Sequence, residues 1–148
     1  MKASNIAADV TRILDQEINA LEAVMEALGT EHDALEARDA EALTAASELK
    51  LERIETARRI GAERSAVLDD AEDIHSNSQI SVRWDRLTKL AHDCKDKNER
   101  NGMLIRWQHK YVEQSLAVLR NAEPGEKLYE ASGENQRASG RQNDLGSA

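Results

Sequence analysis

Residues 98–120, NERNGMLIRWQHKYVEQSLAVLR, decide the fold. Asn98, Asn101 and Gly102 fall within five positions, and an Asn-Gly pair ordinarily marks a turn. The flanking pattern argues the other way. Trp84, Leu87, Ala91, Cys94, Asn98, Asn101, Ile105, Gln108, Val112, Ser115 and Leu119 alternate spacings of three and four without a slip. A loop at 98–102 gives no reason for the phase to agree on both sides, so the segment reads as part of one helix over about 82–121. Asn98 and Asn101 then lie on its inward seam, where buried amides fix register at a cost in stability. Replacing Asn101 with Leu is therefore expected to preserve the helix and raise stability. Gly102 permits a close backbone neighbour.

Working outward, the preceding chain carries two more helical patterns. Leu14, Ile18, Leu21, Met25, Leu28, His32 and Leu35 hold an a/d seam for three heptads, giving a helix over about 4–38 with Ser4 as its N-cap. The pattern resets at RDAEALTAA, where Asp39 caps a second helix over about 40–73 and Glu41 sits favourably in its first turn. So short a connection makes these two helices an antiparallel hairpin. IHSNSQIS, residues 74–81, reads as the second connection. Pro124-Gly125 ends the third helix, and the polar, Gly- and Ser-rich residues 123–148 read as a mobile tail. The expectation is an all-α chain: an elongated antiparallel three-helix bundle or coiled coil, with a mobile C-terminal tail.

Composition supports this. Only 3% of the 148 residues are aromatic, there is no Phe and one Pro, and 32% are charged. Ala, Leu, Glu, Lys and Arg at such levels favour long helices over strands. The net charge of −8 argues against a nucleic-acid partner, since phosphate binding needs concentrated Lys and Arg. One cysteine, Cys94, allows no intrachain disulfide and fits a reducing compartment. The N-terminus lacks an apolar signal core, and no apolar run approaches the ~20 residues of a membrane helix, so membrane insertion is not expected. Charge is unevenly divided. Residues 1–37 hold eight acidic and two basic side chains, whereas residues 74–121 hold nine basic and five acidic. A basic third helix pairs favourably with acidic neighbours.

Little in the sequence suggests catalysis. Glu72 and His75 have the Glu-x-x-His spacing of di-iron bundles, but the required second copy is absent. His92 and Cys94, two apart, point in different directions on a helix. No metal or other cofactor is expected. The many carboxylates read as solvated helix faces, and three thin helices leave little room for a pocket of ~300 Å³. The chain does not read as an enzyme. Leu104, Trp107, Tyr111 and Val118 form a second stripe beside the third-helix seam. Either they contact another helix of the bundle or, left exposed, they mark a partner surface. Leu128, Tyr129 and Leu145 are the large apolar groups of the tail. Leu128 and Tyr129 suit a docking peptide that orders on contact, or else they cap the bundle end.

Three segments carry a family resemblance. RDAEALTAASELK (38–50), NERNGMLI (98–105), and KLYEASG (127–133) followed by a closing GRQNDLGSA resemble the second helix, third helix and tail of FlgN-type flagellar export chaperones. The resemblance spans nearly the whole chain and includes Lys50. It implies a cytoplasmic carrier, a monomer or weak homodimer, for the helical C-terminal segments of the hook-associated proteins FlgK and FlgL. It also implies that a tail tyrosine, here Tyr129, serves the export-gate protein FlhA. An independent reading is a structural coiled-coil protein that self-associates through the same heptads.

Overall fold

The computed structural model describes residues 2–69 and 76–122. Three helices follow in order: α1 (Lys2–Ala37), α2 (Ala40–Asp69) and α3 (Ser78–Ala122). No strand occurs among the described residues. The chain divides into two units, residues 1–105 and residues 106–148. Residues 70–75 and 123–148 lie outside the described set, and with them the predicted end of the second helix, the Glu72–His75 pair and the whole tail.

The first unit is built around α1. Val10, Leu14, Leu28 and Leu35 are fully buried along it, with Ile13, Ile18, Val24, Ala27 and Ala34 close behind. Burying each large aliphatic side chain stabilises the fold by about 1.5–3 kcal/mol. Only Ala46 and Ala57 are buried on α2. On α3 the buried set is Ile80, Leu87, Cys94 and Asn101, one residue in every seven. Two apolar clusters result. Val10, Leu14 and Ile18 pack with Ile80 and Leu87, while Val24 and Leu28 pack with Ala57 and Cys94.

Polar contacts fix the helix directions. Glu31 meets Ser47 and Lys50, the Ala23 carbonyl meets Arg53, and Glu17 meets Arg64, so α1 and α2 are antiparallel. Asp15 meets Arg83, Leu21 meets Cys94, and Leu28 meets Asn101, so α1 and α3 are parallel. Up, down, up is the order in this three-helix bundle.

The α1–α2 turn is closed by local chemistry. Arg38 N–H donates to the Leu35 carbonyl (3.2 Å) and Asp39 N–H to the Ala34 carbonyl (3.1 Å), the two bonds of a Schellman motif. Arg38 takes the left-handed conformation (φ 53°) where glycine is usual. Asp39 then caps α2, its carboxylate accepting from Ala42 N–H at 3.0 Å, as its position predicts.

Two helix starts differ from expectation. Ser4 does not cap α1, because the helix already includes Lys2; Lys and Ala are strong helix formers, and capping ability alone does not halt them. The third helix begins at Ser78 rather than Val82. Asn77 caps it, accepting from Gln79 N–H at 3.0 Å, and the early start buries Ile80. The Ser/Asn cluster that suggests a loop is a cap.

Candidate docking surfaces

Residues 98–102 are helical throughout, so NERNG is no turn. Asn101 is 1% exposed. Its amide donates to the Leu28 carbonyl and to Glu31 Oε1, both at 3.0 Å, and its oxygen lies 3.3 Å from His32 Nδ1. Glu31 is itself fully buried and accepts on its other oxygen from Ser47 Oγ and Lys50 Nζ, each at 2.9 Å. Burial on its own pushes the Glu31 carboxyl up. The hydrogen bonds from Lys50, Asn101 and Ser47, with the Lys50 charge, outweigh that and hold it below the ordinary glutamate value. Asn98 departs from the expected inward placement. It is exposed and accepts from Lys50 Nζ at 3.1 Å, bridging α3 to α2. Gly102 is half-buried, while a close contact falls at Gly61, where an added Cβ would meet Glu17 Oε1 at 2.9 Å.

Glu31 and Glu17 overturn the view of the carboxylates as uniformly solvated. Glu17 is buried and held by Arg64 at 2.6 Å. A sequence signal exists: Val10, Glu17, Val24 and Glu31 recur every seven residues, and all four are buried. Carboxylates alternating with valines on one heptad position belong to the inside of a bundle only if cations reach them, here from Lys50 and Arg64 on the other arm of the hairpin.

The expectation that the helices leave little room for a pocket also fails. A groove of about 580 Å³ lies between α2 and α3, floored by Leu21, Val24 and Leu28 of α1. Its walls are low because Ala57 on α2 and Thr88 and Ala91 on α3 are small. Cys94 lines it and donates to the Leu21 carbonyl at 3.5 Å; burial first, and then the Asp93 charge, push its thiol up. That describes an inert packed thiol. His92 is exposed and pairs with Asp96.

In the second unit the described residues are 106–122, all helical, and none of them is buried. Trp107 is 62% exposed, and Tyr111, Val112, Leu116, Val118 and Leu119 are exposed as well. At 100° per residue, Trp107, Val118 and Tyr111 share one edge of an apolar arc and Leu119, Val112 and Leu116 the other, with Ser115 and Gln108 between. The opposite half carries His109, Arg120, Glu113, Arg106 and Lys110. Trp107 and Tyr111 stack with ring centroids 6.1 Å apart, a pre-formed aromatic plate one helical turn long. Of the predicted stripe, Trp107, Tyr111 and Val118 are thus exposed, whereas Leu104 belongs to the first unit and is half-buried. Leu128 and Tyr129, the predicted gate-docking pair, lie outside the described residues. Among the described residues no helix is long and apolar enough to cross a membrane.

Comparison with curated proteins and with solved structures finds no match. The family model for the FlgN protein matches residues 1–137, a span taking in the polar cluster at Asn101, the groove, and the exposed arc of α3. By that match the chain belongs to the FlgN family of flagellar export chaperones.

Proposed function

We propose that this chaperone works in the cytoplasm as a carrier for the hook-filament junction proteins FlgK and FlgL. It binds their helical C-terminal segments through residues 106–122, prevents their premature association, and delivers them to FlhA at the export gate through Leu128 and Tyr129. The observation that carries this reading is the arc of Trp107, Tyr111, Val112, Leu116, Val118 and Leu119, all exposed on one half of a helix. An amphipathic cargo helix has an apolar face to cover, and an apolar arc with a stacked aromatic pair covers it. Ordering the cargo costs free energy on binding, which suits a carrier that must release it.

Charge on this segment does not separate a foreign partner from a second copy, so the oligomeric state does. Residues 106–122 carry Arg106, Lys110 and Arg120 against Glu113 alone. All four stand on the half opposite the arc, away from any helix seated on it. The self-associating coiled-coil reading predicts a fixed homo-oligomer by light scattering at micromolar concentration; the carrier predicts a monomer or weak dimer that forms a defined heterocomplex. The deciding experiment is co-purification with FlgK or FlgL C-terminal fragments. The wild-type chain retains them, and Trp107→Ser with Tyr111→Ser loses them while its helical signal persists. Undiminished retention by that variant moves the cargo surface elsewhere. For the tail, Tyr129→Ala should leave cargo binding and Tm intact and weaken capture of the cargo complex by the FlhA cytoplasmic domain; unaltered capture removes Tyr129 from docking.

A further inference from the structure

Asn101–Gly102 is the one Asn-Gly pair in the sequence, and it has a reactivity separate from the contacts that Asn101 makes. In an open chain the glycine nitrogen can attack the side-chain amide carbon, since no Cβ on the following residue obstructs the approach. A bond forms between Gly102 N and Asn101 Cγ, the Cγ–Nδ2 bond breaks, and ammonia leaves a cyclic imide behind. Water then opens the ring to aspartate, or to isoaspartate, whose main chain runs through the side-chain carbon.

The closed bundle restrains both reacting groups. Residues 98–105 are helical, so the Gly102 N–H is engaged with the Asn98 carbonyl one turn back. The Asn101 amide nitrogen donates to the Leu28 carbonyl and to Glu31 Oε1, and the residue is buried. That restraint depends on α3 staying closed at this point. Asn101 is the last buried residue of the helix, because none of the residues 102–122 is buried. A stretch without buried side chains opens most readily, and openings that begin there reach Asn101 before Leu87 or Ile80.

The product does not fit back. An aspartate at this position sets a carboxylate oxygen where the amide nitrogen now donates, 3.0 Å from both the Leu28 carbonyl and Glu31 Oε1. Two acceptors lose their donor, and the fully buried Glu31 gains a like charge beside it. Lys50, the nearby cation, is already shared between Glu31 and Asn98. Isoaspartate adds a carbon to the main chain and interrupts the helical ladder.

We propose that Asn101 is a latent deamidation site: the closed bundle suppresses the reaction, opening of α3 permits it, and the product leaves α3 unable to close again. The site lies outside residues 106–122 and does not depend on the cargo role given to them above.

The test incubates the full chain at neutral pH, folded and in guanidinium, and follows Asn101 by peptide mass spectrometry with an isoaspartate assay. Asn98, exposed and followed by Glu99, is the internal reference. In guanidinium, Asn101 should convert well ahead of Asn98, and Gly102→Ala should suppress that conversion. In the folded chain, Asn101 should convert at least about a hundredfold more slowly than in guanidinium, because reaction waits on local opening. Glu31→Ala, which removes one acceptor of the Asn101 amide, should speed conversion in the folded chain. Asn101→Asp should lower Tm more than Asn101→Leu, which brings no charge to Glu31. Conversion of the folded chain at the denatured rate, or a Tm for Asn101→Asp equal to that of the wild-type chain, would overturn the proposal. Should Glu31→Ala fail to fold, these two measurements still decide it.

Discussion

Residues 78–105 and 106–122 are parts of one helix with one heptad phase, and they differ in what covers them. In the first, every seventh residue from Ile80 to Asn101 is buried. In the second, the same phase continues through Gln108 and Ser115, neither buried, and six large apolar residues stand exposed beside them. Periodicity thus states which side of a helix is apolar; whether that side is filled depends on partners elsewhere. The first segment is a stability element. The second is the proposed cargo surface, and mutations in the two should separate stability from binding.

The largest stability loss should come from the first segment's polar contact. Glu31→Ala removes a fully buried carboxylate and takes one acceptor each from Lys50, Ser47 and Asn101, at a cost of about 3–5 kcal/mol by denaturant titration. The same group sets a pH dependence. Its folded-state pKa lies below the ordinary glutamate value, so its contribution is complete above that value and is lost as pH falls through the folded pKa. Acid titration of Tm should show a decline at low pH that flattens in Glu31→Gln.

Next in size, on the other side of the comparison, Trp107→Ser with Tyr111→Ser should cost about 2–4 kcal/mol in cargo binding by calorimetry. It should change Tm little, because both rings are more than half exposed. A large fall in Tm would erase the distinction between the two segments. Asn101→Leu should cost about 1–3 kcal/mol of stability, since Glu31 loses a donor inside the protein. This reverses the gain expected from the sequence, where Asn101 looks like an isolated buried amide. Gly29→Ala should be the smallest effect, a gain of about 0.5–1 kcal/mol from helix propensity. The new Cβ meets only Lys97 Nζ at an ordinary 3.7 Å.

Much of the fold is legible in the residues. An unbroken run of three-and-four spacings carries α3 through NERNG, and Asp39 states the start of α2. The start of α3 is less legible, because Ser and Asn serve loops and caps alike and only the buried Ile80 decides between them. Glu17 and Glu31 mislead because their inward placement depends on Arg64 and Lys50, far along the chain on another helix. The groove escapes sequence reading for a related reason. Ala57, Thr88 and Ala91 look like ordinary helix residues until α2 and α3 bring them to opposite walls of one trough. The exposed arc falls between these cases: its residues are evident from spacing, their lack of cover is not.

Amide hydrogen exchange tests the cargo surface most directly, with the full chain alone and bound to a FlgK C-terminal fragment. The account predicts that residues 106–122 gain strong protection on binding, while α1 residues 10–35, already buried, change little. Unchanged exchange across 106–122 in a saturated complex would contradict it.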